Sequence, residues 1–342
     1  METYKVTLLP GDGIGPEQTE ATLKVLKAVQ ERFDFRLETV VVEAGDACLE
    51  RKGVALPTET VRTMKASHAC LKGPVGETAA DVIVKLRLMF DLYANVRPVR
   101  AYPNVPCLSP DIDFVIIREN TEDLYKGMEF MADRETAIGL RVITKKGSER
   151  IARYAFEVAR RRIKGRKVTA VHKANVLKLT CGLFAQTSRE VAREYPDVTF
   201  EELYVDVAAM QLIKRPQTFD VVLTPNMFGD ILSDEAAQLV GGLGMAPGAN
   251  IGENYALFEP VHGSAPKYAG KQYANPCSMI LASKMMLDWL GVKHGNSTCV
   301  EAAQAVEKAV TQALSKGHLT RDLGGSLKTR EMGEAIAREI LI

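Results

Sequence analysis

Two aspartates, Asp230 and Asp234, stand four residues apart in the segment NMFGDILSDEA. On a helix that spacing puts both carboxylates on one face. Paired carboxylates suit a hard divalent cation, Mg²⁺ or Mn²⁺, which prefers oxygen ligands. The same spacing also fits a helix capped by Asp230 with Asp234 in its first turn, with no metal involved. Asp206 directly follows Tyr204-Val205 and is a candidate third ligand. Arg87, Arg97 and Arg118 each lie in or beside an apolar stretch. A guanidinium there is a fork for carboxylate or phosphate, or an ion pair closing a sheet edge; the second reading fits one of them better than all three. Lys173 follows a strand-like run, where α/β sheets place their sites, and a desolvated lysine can act as a base. A solvated surface lysine is the other reading. Tyr125 is either a proton donor or a packing residue.

The elements that must position these groups alternate along the chain. Strand-like runs fall at 5–10, 35–42, 114–118, 168–172 and 221–224. Helical patterns fall at 17–32, 78–90, 147–162, 182–194, 230–240, 277–290 and 299–315. The alternation predicts an α/β fold with a largely parallel sheet. Between the first strand and helix lies Gly11-Asp12-Gly13-Ile14-Gly15. It resembles a phosphate cradle, but its third glycine is one residue too early for G-x-G-x-x-G, and it lacks the ending of a P-loop. A tight turn needing positive φ accounts for it better than a Rossmann fingerprint does.

A chain of 342 residues exceeds the usual size of a single core. Two lobes are expected: a first from 1–96 and 242–342, carrying both termini, and a second from 97–241, with the site in the cleft between them. The composition is 46% hydrophobic and 25% charged, that of an ordinary globular protein. The net charge of +1 provides no basic field for nucleic acid. No run approaches the length of a membrane span. Six scattered cysteines without a C-x-x-C pair read as reduced thiols of a cytoplasmic protein.

Several further motifs stand in order: LLPGDGIGPE near the start, LR and DLYANVRP within 86–98, RENTEDLYKG at 118–127, HKANVLKLT at 172–180, NMFGDILSDEA at 226–236, GGLGMAPGANIG at 241–252, and FEPVHGSAPKYAGK with NP within 258–276. Nearly end to end, the chain resembles the β-decarboxylating dehydrogenases that act on isopropylmalate, isocitrate, homoisocitrate and tartrate. The resemblance implies their two-lobed α/β fold, which is not a Rossmann fold, and metal-dependent oxidative decarboxylation of a 3-substituted malate. It implies that Arg87, Arg97 and Arg118 clamp the substrate carboxylates. It also implies that Asp206, Asp230 and Asp234 hold Mg²⁺ or Mn²⁺, that Lys173 takes the hydroxyl proton and that Tyr125 returns a proton to carbon. Asp206 and Lys173 would come from a neighbouring subunit of a homodimer.

The nucleotide would lie on Glu259, His262, Gly263, Ser264, Ala265 and Asn275. Lys267-Tyr268 stand where members using NAD carry an aspartate, and with Arg321 they imply NADP in preference to NAD, because a cation attracts a 2′-phosphate. Ile83 and Val84 would offer apolar surface to the substrate's variable group, favouring 3-isopropylmalate. Lys72 points instead toward isocitrate, because it matches a lysine that contacts the γ-carboxylate in isocitrate enzymes; an NADP-dependent isocitrate or homoisocitrate dehydrogenase is the alternative. A non-catalytic regulatory subunit is disfavoured, because every reacting residue is present.

Overall fold

The structure is a computed structural model that describes residues 2–162 and 164–342. Twelve strands form: β1 (Glu2–Leu9), β2 (Phe35–Val41), β3 (Ala69–Lys72), β4 (Ala94–Arg100), β5 (Asp113–Glu119), β6 (Glu129–Met131), β7 (Ala137–Gly139), β8 (Lys167–His172), β9 (Thr199–Tyr204), β10 (Val221–Thr224), β11 (Pro247–Ile251) and β12 (Ala256–Pro260). Ten of them make one sheet in the order β2-β1-β3-β12-β11-β4-β5-β10-β8-β9, while β6 and β7 form a separate ribbon. The outer pairings are parallel, but β12-β11, β11-β4 and β4-β5 are antiparallel. The sheet is thus largely parallel, as expected, with its antiparallel pairings confined to the centre. Two parallel blocks run in opposite directions and are joined by three antiparallel pairings. Pro98 is tolerated inside β4 because β11 pairs with that strand only through Ala94–Val96.

Side chains alternate across the strands, so the sheet has two chemically different faces. On the rear face Leu8, Leu71, Phe258, Ala249, Val96, Val115, Ile117 and Leu223 belong to one continuous apolar core. The helices Lys145–Arg161 and Cys277–His294 pack against it. The front face carries two separate cores. One gathers Leu9, Cys70, Val82, Leu86 and Leu257. The other gathers Val99, Phe114, Ile116, Val171 and Val222 with Leu232 and Ala236. Between them lie polar and charged side chains of β3, β12, β11, β4 and β5: Lys72, Glu259, Asn250, Asn95, Arg97 and Arg118. A cleft opens along this gap.

The Gly11–Gly15 turn is part of the wall of this cleft. Asp12 donates its N–H to the Pro74 carbonyl (2.8 Å), and Ile14 donates to the Ser264 carbonyl (2.9 Å). Gly11 and Gly13 have φ of +71° and +57°; a Cβ on either would stand about 2 Å from Pro74 O and Ser264 O. Both glycines are thus fixed by backbone packing, which agrees with the tight-turn reading over a phosphate cradle. No helix of the described residues is long and apolar enough to cross a membrane. All six cysteines are free, and all but Cys107 are buried.

Candidate active site

The helix Asn226–Gln238 begins four residues before Asp230, so Asp230 is neither its cap nor in its first turn. The capping alternative is overturned by this longer helix. Asn226, Asp230, Ser233 and Asp234 share one helical face, which meets two of the arginines. Arg118, at the front of β5, donates through Nε and Nη2 to Asn226 Oδ1 (3.0 and 2.7 Å) and pairs through Nη1 with Asp230 Oδ1 (2.5 Å). Arg97, on β4, reaches Asn95 Oδ1 (2.7 Å), Ser233 Oγ (2.6 Å), Asp234 Oδ1 (3.1 Å) and Asp230 Oδ1 (3.2 Å). Gly229 permits this approach, because a Cβ there would lie 2.6 Å from Arg118 Cγ. The Tyr125 hydroxyl donates to Asp230 Oδ2, and its ring lies 4.9 Å from the Arg118 guanidinium.

The third arginine joins a second network. Arg87 Nε donates to Asn250 Oδ1 (3.0 Å), and its Nη2 lies 3.5 Å from Glu259 Oε1. Asn250 also accepts from Asn95 and Asn120 and donates to Glu259 (2.8 Å). Lys72 Nζ pairs with Glu259 Oε2 at 2.8 Å, its side chain only 2% exposed.

These contacts set the charges. Burial lowers the Arg118 pKa to about 9, helped by the neighbouring Arg97 and Arg87. Burial alone would raise Asp230, but Arg118 and Arg97 outweigh it and hold the carboxyl below its usual range. Asp234 is raised, because burial exceeds the opposing effect of Arg97. Burial would likewise raise Glu259, yet Lys72 and Arg87 bring it down to about 2. Burial raises Tyr125, as does its hydrogen bond to Asp230.

Two cavities line up along the cleft. One of about 380 Å³ is bounded by Lys72, Arg87 and Arg97 at one end, by Val75, Ala80 and Ile83 at the side, and by His262, Gly263, Ser264 and Ala265 at the other end. The next, of about 500 Å³, is walled by His262, Tyr268, Tyr273, Asn275, Arg321 and Asp322. His262 belongs to both. Arg321 stacks over the Tyr273 ring at 4.0 Å, and Asn275 Nδ2 donates to Asp322 Oδ2 (3.0 Å). Ile83 faces the first cavity, but Val84 lines neither. Lys267 is exposed outside both walls, with Nζ 5.8 Å from the Tyr268 ring.

Lys173 and Asp206 form an ion pair with each other. They stand at the ends of β8 and β9, and they are not brought to the arginine cluster. Among the described residues no three His, Cys, Asp or Glu side chains converge as a metal-ligand set. One chain therefore offers two carboxylates, Asp230 and Asp234, toward a hard cation. Asn226, Ser233 and Asn250 escape sequence reasoning. The one signal was for Asn250, a polar residue in an otherwise apolar, glycine-rich segment.

The model of the family described as "Isocitrate/isopropylmalate dehydrogenase" matches residues 5–336. This chain belongs to that family of dehydrogenases, and its α/β fold is the family's. It is 53% identical over 340 residues to the 3-isopropylmalate dehydrogenase of Methanothermobacter thermautotrophicus, with 99% of each chain covered. It is 54% identical over 340 residues to the 3-isopropylmalate/3-methylmalate dehydrogenase of Methanocaldococcus jannaschii, covering 98% of this chain and 99% of that one. Among solved structures, isocitrate dehydrogenase from Methylococcus capsulatus superposes with a TM-score of 0.93 at 44% identity, covering 99% of this chain and 100% of that one.

Proposed function

We propose that this protein oxidatively decarboxylates a 3-substituted malate, 3-isopropylmalate foremost, passing hydride to NADP in preference to NAD. The observation that carries the substrate reading is the state of Lys72. It is buried and spent on Glu259, so the side wall of the first cavity, Val75, Ala80 and Ile83 with Glu77, offers no free cation. An extra carboxylate there would be desolvated without a partner, at a cost of several kcal/mol. An isopropyl group suits the same wall.

In this reading Arg87, Arg97 and Arg118 exchange their present partners for the substrate's two carboxylates and fix its orientation. Asp230 and Asp234, with a second subunit's Asp206, would hold Mg²⁺ or Mn²⁺, which supplies Lewis acidity to the reacting hydroxyl. Lys173 of that subunit takes the hydroxyl proton as the C2 hydride leaves. The β-keto acid then loses CO₂, and Tyr125 returns a proton to carbon. The nucleotide would run from Gly263–Ala265 across His262 to Asn275 and Arg321, with Lys267 and Tyr268 at its phosphate-bearing edge. The lobe boundary, 1–96 with 242–342 against 97–241, would follow the gap between the two front cores.

A homodimer is supported by what the chain leaves uncovered. Val176, Leu179, Met210, Ile213 and Ile231 are at least 57% exposed, as is Met131 on the β6-β7 ribbon at 60%. Exposed apolar side chains that gather into a patch mark interfaces, and all of these but Met131 lie within seven residues of Lys173, Asp206 or Asp230 in the sequence.

The test is initial rates with 3-isopropylmalate, isocitrate and homoisocitrate, each with NAD and NADP and with Mg²⁺. Highest kcat/KM for isopropylmalate with NADP is expected. Isocitrate ahead by tenfold contradicts the substrate reading, and a clear NAD preference contradicts the role given to Lys267 and Arg321.

A further inference from the structure

Gln18 lies on the helix Gly15–Arg32, 1% exposed, at the wall of the second cavity. Its Nε2 stands 2.8 Å from the Asn275 carbonyl oxygen and 3.0 Å from His262 Nε2. A main-chain carbonyl can only accept, so the amide nitrogen must face it. Turning the amide over would set two oxygens 2.8 Å apart. The orientation holds although it leaves Gln18 Oε1 buried without a partner.

The amide's second hydrogen then points at His262 Nε2, which must present its lone pair. Ser278, 3.1 Å away and fully buried, donates its hydroxyl to the same nitrogen. The ring proton is left on Nδ1, 2.9 Å from the Gly263 carbonyl. The Gln18 and Gly263 contacts are each satisfied by one tautomer only, whereas the Ser278 hydroxyl could also accept from a ring N–H. The other tautomer would set a ring N–H against an amide N–H and a lone pair against the Gly263 oxygen.

We propose that Gln18 is a positioning residue for nucleotide binding: it locks His262 as the Nδ1–H tautomer, and that ring holds the Gly263–Ala265 loop in shape. The loop needs holding, because Ala265 has φ of +40°, unusual for a residue with a side chain. The charged groups facing the ring agree with a neutral imidazole. Burial lowers its pKa, the hydrogen bond to the Gly263 carbonyl and then Asp322 oppose the shift, Lys72 adds to it, and the net direction is down. The binding half of this inference rests on the nucleotide reading above; the tautomer half does not.

The experiment is long-range ¹H–¹⁵N NMR of histidine-labelled full-length protein, with the His262 signals assigned by their loss in His262→Asn, beside NADP titration by fluorescence. Wild type is expected to show Nδ1–H. Gln18→Met, which keeps the volume and removes the donor, is expected to shift the ring toward Nε2–H. Its NADP Kd should rise about tenfold, the worth of one lost hydrogen bond. An Nε2–H ring in the wild type overturns the proposal whatever the variant does. A changed tautomer with unchanged NADP affinity overturns the binding half. Wild type with the Nδ1–H ring that binds no NADP overturns the nucleotide reading instead.

Discussion

The two faces of the central strands divide the work of the molecule. In β4, Asn95 and Arg97 face the cleft while Val96 enters the rear core. In β12, Glu259 faces the cleft and Phe258 the rear. The rear core runs unbroken across the sheet, whereas the front apolar surface is interrupted where the charges gather. A period of two thus lets a single strand serve both a continuous core and a polar cleft. The cleft's charges are not free ornaments on the core. Arg118 is 1% exposed and Lys72 is 2% exposed, and each is held by partners that offset its desolvation.

That contrast can be broken from either side. Lys173→Met should lower kcat by about 10³-fold if the proposed general-base role holds, with no change in the melting temperature. Arg118→Lys should lower kcat/KM by on the order of 10²-fold, since a point charge cannot supply the forked grip on a substrate carboxylate that the proposed role requires. On the rear, Phe258→Ala should cost about 3–5 kcal/mol in urea unfolding while the folded fraction keeps its KM. An equal loss of stability and of catalysis in both sets would erase the division. Ile83→Ala should shrink the preference for isopropylmalate over malate by about tenfold, measured as a kcat/KM ratio.

The smallest effect concerns acid. Glu259 titrates at about 2 in the fold against 4.5 ordinarily. Its ionised form therefore contributes stability that is complete above pH 4.5 and is lost as pH falls toward about 2. The gap in stability between wild type and Glu259→Gln should be widest above pH 4.5 and narrow steadily below it.

Much of this was legible in the residues. The runs at 114–118, 168–172 and 221–224 are apolar and β-branched, and they are strands β5, β8 and β10. Asp230 and Asp234 share a helical face, as their spacing suggested, and that face meets Arg97 and Arg118, which spacing alone did not indicate. Strand β11 escaped notice because Pro247, Gly248 and Asn250 are residues that strands avoid; burial against β12 and β4 overrides their propensity. The helix holding the aspartates starts at Asn226 with no side-chain cap, four residues before Asp230. The fate of Lys72 could not be read either, because its partner Glu259 is 187 residues away. Nor could spacing reveal that Lys173 and Asp206 sit apart from the arginines.

The claim that two chains build each site is tested most directly by pairing two inactive variants, Asp206→Asn and Asp230→Asn, in one cell with different tags. If the sites are shared, each mixed dimer holds one site with both aspartates intact. The unsorted mixture should then regain about a quarter of wild-type activity, and the purified mixed dimer about half. A mixed dimer no more active than its two parents would contradict the account.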